Sequence, residues 1–309
     1  MNRPVAAIEI GSGALKIVVA DDSGIKRHRI TTDLISVLDG GSLPPDAKGR
    51  LSAKLDEAAR LVENIAPARR RVVATHALRA GPAGDGASNL AELVASAFGV
   101  EMELLSEERE AELAYRAIEV DPSPVMIDIG YGSTELAVRL SDGTLESISV
   151  PIGAATITDQ YLSSDPPRAA ELSAALSVIE LYLDDIARER PRLVSGILDG
   201  QIVGLGAIRF IAEVELGAAS GDDIDGYRLE WAAAEELFRA VATEARIDRS
   251  ANPGLNAEHV DLIVGALCVL LEFMRRFGVD QVVVSVRGVV DGVVAEMVSG
   301  EQGTRQEQA

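Results

Sequence analysis

The sequence predicts an α/β protein made of two similar mixed sheets. Three observations predict it. Strand-like apolar runs and helix-period stretches alternate through all 309 residues. Residues 6–19, Ala-Ala-Ile-Glu-Ile-Gly-Ser-Gly-Ala-Leu-Lys-Ile-Val-Val, overlay residues 125–138, Val-Met-Ile-Asp-Ile-Gly-Tyr-Gly-Ser-Thr-Glu-Leu-Ala-Val, without a gap. The break Asp121-Pro122-Ser123-Pro124 stands just before the second copy, so the expected division is 1–121, 122–299 and a polar tail at 300–309.

Each copy reads as an apolar strand ending in a carboxylate, a glycine turn and a returning strand. Ile8 falls on Ile127, Glu9 on Asp128, Gly11 on Gly130, Gly13 on Gly132 and Ile17 on Leu136. Polar turns at Asp22-Ser23-Gly24 and Ser141-Asp142-Gly143 then lead to third strands near 25–31 and 145–150. In the first half, Leu51, Leu55, Ala58, Leu61, Val62 and Ile65 recur at helical spacing, and residues 71–75 read as a buried strand. A helix is expected near 88–98 and a short strand at 102–105. Ser106 suits the N-cap of a helix through Ala117, with Glu107 and Glu108 in its first turn. In the second half, helices are expected near 154–162, 167–188, 228–245 and 256–277. Residues 202–206 and 282–285 read as strands, and 289–298 as a closing helix of the second domain.

Composition narrows the function. A hydrophobic content of 47% supports substantial cores, and 4% aromatics make them aliphatic. The net charge of −20 argues against nucleic acid or an anionic membrane as partner, and requires a locally basic path for any polyanion. Lys26–Arg29 and Arg69-Arg70-Arg71 are basic islands that fit such a path or a charged strand edge equally. The single cysteine, Cys268, lies in an apolar run and reads as a core thiol of a reducing compartment. No basic and apolar leader and no bilayer-length apolar segment is visible, so a soluble, cytoplasmic protein is expected. Asp222, Asp223 and Asp225 hint at a calcium loop but lack its full ligand pattern.

The turn glycines allow φ > 0 and leave backbone N–H groups uncovered, as an anion nest requires. A carboxylate beside such a nest suits a metal ion or an attacking water. Two such hairpins facing one another would form a phosphate–metal cleft between related domains.

At these residues the chain resembles the exopolyphosphatase and guanosine-pentaphosphate phosphatase (Ppx/GppA) family. The resemblance rests on Ile8-Glu9-Ile10-Gly11-Ser12, Ala74-Thr75-His76-Ala77-Leu78-Arg79, Leu105-Ser106 with Glu110-Ala111, and Ile127-Asp128-Ile129-Gly130 with Gly132-Ser133-Thr134-Glu135. Pro151-Ile152-Gly153, Asp225-Gly226-Tyr227-Arg228-Leu229 and Pro253-Gly254-Leu255 continue it. It implies two actin-like (ribonuclease H-like, ASKHA) domains flanking a central cleft, of the short type without added C-terminal helical domains. It implies water attack on phosphoanhydride bonds with Mg²⁺ (or Mn²⁺), on inorganic polyphosphate or guanosine penta- or tetraphosphate, in a protein expected to be a homodimer. Carried over by position, Glu110 matches the base, Asp128 and Glu135 the acids that hold water and metal, and Glu9 a further metal ligand. Gly11, Ser12, Gly13, Arg79, Gly130, Gly132, Ser133 and Thr134 match the phosphate contacts.

The departures concentrate in the same places. Gly13-Ala14 stand where the family has Asn-Ser, and Tyr131 replaces the middle of three glycines, where φ > 0 would strain it. Ala207-Ile208 replace Gly-Thr, His259 replaces an arginine, and Val290 replaces another. The acids survive while donors to phosphate are lost. Two functions follow: a phosphoanhydride hydrolase, or a phosphate-ligand-binding or regulatory protein without turnover. An actin-like ATPase or sugar kinase shares the hairpins but not the stretches around Thr75 and Ser106.

Overall fold

The structure is a computed structural model that describes residues 4–32, 44–75, 86–118, 124–217 and 224–300. The chain forms two compact units, Met1–Ala117 with Val289–Ala309, and Ile118–Gly288.

In the first unit, β1 (Val5–Ile10), β2 (Ala14–Asp21), β3 (Gly24–Thr31), β4 (Arg69–Ala74) and β5 (Met102–Leu104) form one sheet in the order β3-β2-β1-β4-β5. The hairpin strands pair antiparallel, and β4 and β5 run parallel to β1. β1 is buried along its whole length, as a central strand covered on both faces must be. Helices α1 (Pro45–Glu63) and α2 (Gly86–Phe98) bring Leu51, Leu55, Val62, Leu90, Val94 and Phe98 onto Ile8, Ile10, Leu15 and Ile17. Helix α3 (Glu107–Ile118) starts where its cap predicts: Ser106 Oγ accepts the Arg109 N–H at 3.2 Å.

The second unit repeats the plan. β6 (Val125–Ile129), β7 (Thr134–Arg139) and β8 (Leu145–Val150) are followed by α4 (Ala154–Tyr161), α5 (Ala169–Glu189), α6 (Pro191–Asp199), β9 (Ile202–Gly206) and α7 (Ala207–Glu215). Then come β10 (Arg228–Glu230), α8 (Trp231–Val241), α9 (Arg246–Arg249), α10 (Ile263–Phe277) and β11 (Gln281–Val284). The sheet runs β10-β11-β9-β6-β7-β8. Without the added edge strand β10, its order is that of the first unit. Each unit is therefore an actin-like α/β domain: a hairpin-led antiparallel side joined to a parallel side. α10 crosses the core with Ala266, Leu267, Cys268 and Leu270 fully covered.

Several boundaries differ from the sequence reading. The helix expected at 228–245 is β10 followed by α8, because Arg228–Glu230 pairs with β11, and three residues carry no period to read. Residues 257–262 form turns, and α10 starts only at Ile263 rather than at Asn256. α7 was not anticipated; its nine residues are almost all buried, so it lacks a polar stripe.

The largest correction concerns α11 (Val289–Ser299). It was expected to close the second domain, yet it belongs to the first unit. Its Asp291 and Glu296 are 9% and 2% exposed, and buried carboxylates need partners. The partners lie in the first unit. Arg27 on β3 gives Asp291 Oδ1 two hydrogen bonds, of 3.0 and 2.8 Å. Glu296 takes Arg71 of β4 at 3.0 Å and Arg109 of α3, and Arg69 donates to the Met297 carbonyl. Gly292 permits the approach, since a Cβ there would strike the Leu113 carbonyl of α3. Three arginines of the two basic islands are thus engaged in holding a helix. Among the described residues, no helix is long and apolar enough to cross a membrane.

Candidate active site

The repeated hairpins close alike. The Gly11 N–H donates to the Ala14 carbonyl at 3.0 Å, and the Gly130 N–H to the Ser133 carbonyl at 2.9 Å. Among the described residues, no acceptor meets the N–H of Ser12, Gly13, Gly132 or Ser133. Each turn thus offers two adjacent amides to an anion. The left-handed freedom of glycine is not used here: Gly11 and Gly130 lie outside the positive-φ region, and Ala66 is the one described non-glycine residue inside it. Tyr131 therefore carries no such strain. What these turns need is room, for a Cβ on Gly130 would lie 3.0 Å from the Ser133 carbonyl. The half-buried Tyr131 ring packs on the core of its own unit, and its carbonyl accepts the Ala155 N–H at 2.9 Å.

In the second unit, Asp128 stands opposite Glu135 in the β6–β7 register, so both carboxylates leave the same face of the sheet. Glu135 Oε1 accepts hydrogen bonds from Ser133 Oγ at 2.5 Å and from Ser149 Oγ at 2.8 Å. Thr134 Oγ1 donates to the Ile152 carbonyl at 2.7 Å, and Thr156 Oγ1 to the Gly132 carbonyl at 2.9 Å. The hydroxyls of Ser133 and Thr134 are thus committed within the unit, while the Ser133 amide is not. Asp128 Oδ1 lies against Gly206, the cap of α7 at φ 65°, where the helix dipole favours negative charge.

In the first unit, Glu9 takes the place of Asp128 and is 2% exposed. Its Oε1 is held by Lys16 Nζ at 2.9 Å, and its Oε2 is buried with no hydrogen-bond partner among the described residues. Glu110 lies in the first turn of α3, half-buried, with its N–H donating to the Ser106 carbonyl at 2.9 Å. Arg79 lies outside the described residues, as do His76, Asp222 and Asp223. The structure brings Asp128, Gly130, Gly132, Ser133, Thr134 and Glu135 together on one hairpin of one unit. It brings Glu9, Gly11, Ser12 and Gly13 together on the hairpin of the other.

For a divalent cation the donor set is a pair rather than a cage. Among the described residues, no group of three or more His, Cys, Asp or Glu is placed to hold a metal ion. Two adjacent carboxylates still suit Mg²⁺, which commonly binds one or two carboxylates and completes its shell with water and substrate phosphate. Asp128 and Glu135 therefore fit. Two residues of the hairpins escaped the sequence reading. Lys16 overlays Glu135 in the repeat, so the overlay itself held the signal. Ser149 belongs to β8, and only the strand register places it opposite Glu135.

A family model for the Ppx/GppA phosphatase family matches residues 12–301. The chain belongs to this family. Among its curated relatives, Exopolyphosphatase 2 of Mycobacterium tuberculosis is 27% identical, over 95% of this chain and 98% of that protein. The guanosine-5'-triphosphate,3'-diphosphate pyrophosphatase of Aeromonas salmonicida is 22% identical, over 95% of this chain and 59% of that one. Among solved structures, an exopolyphosphatase from Cytophaga hutchinsonii superposes with a TM-score of 0.82 at 19% identity, covering 97% and 99% of the two chains. A Ppx/GppA phosphatase of Aquifex aeolicus gives 0.74 at 24%, covering 97% and 100%. At these identities the superpositions speak for the Ppx/GppA fold. Phosphohydrolase activity belongs to the Ppx/GppA family as a class.

Proposed function

We propose that this Ppx/GppA member releases phosphate from inorganic polyphosphate, or from guanosine penta- or tetraphosphate, by attack of water. The observation that carries the reading is the Asp128–Glu135 pair, set across two strands beside the uncommitted amides of Gly132 and Ser133. Ser12 and Gly13 on one hairpin, and Gly132 and Ser133 on the other, offer N–H groups to phosphate oxygens. Arg79 adds a guanidinium fork suited to phosphate. Asp128 and Glu135 would hold Mg²⁺ or Mn²⁺, and the unpartnered Oε2 of Glu9 is the donor that residue retains. The cation, when bound, stabilises charge developing on phosphate oxygens. Glu110 takes a proton from the attacking water as its oxygen bonds to the terminal phosphorus. The bridging P–O bond then breaks, and the shortened chain leaves as an anion.

The test is phosphate release in the presence of Mg²⁺ or Mn²⁺, with short polyphosphate, long polyphosphate and guanosine pentaphosphate offered in turn. Wild type runs beside Glu110→Ala and Tyr131→Gly. Turnover that disappears in Glu110→Ala establishes the hydrolase and its base. Activity in Tyr131→Gly alone points to a sound frame obstructed at that turn.

A second reading, a phosphate-ligand-binding protein without turnover, has one observation in its favour. Ile208 and Val290, which replace polar residues of the family pattern, are 0% and 3% exposed. They are core residues and offer nothing to an anion. Calorimetric binding of short polyphosphate by a protein silent in every turnover assay selects this reading.

A further inference from the structure

Two hydroxyls converge on one carboxylate oxygen, Glu135 Oε1: Ser133 from the turn and Ser149 from β8. An ionised carboxylate only accepts hydrogen bonds, so both serines donate. Glu135 is 8% exposed and stands beside a second anion, Asp128, across the strand pair. A glutamate has three rotatable side-chain bonds and would turn its carboxylate away from such a neighbour. Two donors reaching the same oxygen from different elements prevent that turn.

Ser149 is particular to the unit that carries the carboxylate pair. In the first unit the corresponding row across β1, β2 and β3 is Glu9, Lys16 and Arg29, an acid followed by two bases. In the second unit the row is Asp128, Glu135 and Ser149. The hairpin repeat therefore does not account for a serine here, whereas orientation of Glu135 does.

We propose that Ser149 is a positioning residue that holds the Glu135 carboxylate in the orientation in which it and Asp128 together receive a divalent cation. This rests on the hydrolase reading above. Partners one step behind a metal ligand characteristically change metal affinity or activity by about 10–100-fold when removed. A merely structural serine would instead lower thermal stability and leave the cation alone.

The test uses the full chain and three readouts: Mn²⁺ binding by titration calorimetry, thermal unfolding, and phosphate release from short polyphosphate. Ser149→Ala is expected to weaken Mn²⁺ binding about 10-fold or more and to lower kcat by a similar factor, with KM for polyphosphate held within about 2-fold. Ser149→Thr keeps the hydroxyl on a strand that tolerates β-branching, and is expected to restore both. Wild-type Mn²⁺ affinity and kcat in Ser149→Ala would overturn the proposal while leaving the hydrolase reading intact. So would a loss of thermal stability alone. A wild type that neither binds Mn²⁺ nor releases phosphate would overturn both together.

Discussion

Lys16 Nζ lies 2.9 Å from Glu9 Oε1, at the point in the first hairpin where the second hairpin has Glu135. One substitution between the repeats therefore changes an acid pair into an ion pair. Glu9 is nearly inaccessible while Lys16 remains 41% exposed. Lys16→Met leaves a buried carboxylate without its cation. Breaking a fully buried pair costs about 3–5 kcal/mol, and solvent access to Lys16 reduces the expected loss to about 2 kcal/mol. Urea unfolding checks it, and Glu9→Gln added to Lys16→Met is expected to recover most of the loss.

Gly206 sits at φ 65° between β9 and α7, where a Cβ would strike Asp128 Oδ1 and the Ile129 carbonyl. Gly206→Ala combines backbone strain with overpacking and is expected to cost about 2–5 kcal/mol. It should also displace Asp128, so Mn²⁺ affinity falls in whatever fraction remains folded. Calorimetric unfolding and Mn²⁺ titration on the same sample separate the two effects.

Glu296 is 2% exposed and is held by Arg71 and Arg109 together. Removing both cations in Arg71→Ala with Arg109→Ala strands a buried charge, with an expected cost of about 3–5 kcal/mol. Either single variant leaves one partner and is expected to cost less than half of that. Adding Glu296→Gln to the double variant should restore a large part of the stability. Chemical denaturation of wild type and these four variants closes the cycle.

Cys268 is buried in α10, and burial pushes its thiol from 9.0 up to about 12, with Glu272 adding to the shift. The folded chain therefore holds the thiol proton where the unfolded chain releases it. The sign follows: this contribution is fully present below about pH 9 and is lost as pH rises from there toward 12. Cys268→Ala is expected to flatten that alkaline limb of the stability curve. In native wild type, a thiol-reactive dye should label Cys268 only after unfolding.

Much of the architecture is legible in particular residues. The overlay of Ile8-Glu9-Ile10-Gly11 on Ile127-Asp128-Ile129-Gly130 marks two hairpin-led sheets, because alternation and a glycine turn are local signals. Ser106 marks the start of α3 for the same reason, since a cap acts within four residues. The acids of the candidate site are visible as strand ends. Their surroundings are not: Ser149 reaches Glu135 only through the β7–β8 register, and Gly206 meets Asp128 only because β9 lies beside β6. The glycine turns are legible too, but not which property of glycine they use: Gly11 and Gly130 serve by the space they leave and not by a left-handed backbone.

By itself the sequence determined what short-range physics can write: much of the order of strands and helices, though not α7 or β10, together with the duplicated hairpin, the buried thiol and the family of the chain. Tertiary structure alone decided that α11 returns to the first unit, because the arginines that neutralise Asp291 and Glu296 lie far away along the chain, and no local pattern pairs them. It also decided that Lys16 neutralises Glu9 and that Ser149 of β8 reaches Glu135. Those contacts form between strands, and a chain carries no mark of its neighbour's register until hydrogen bonding and burial have set it.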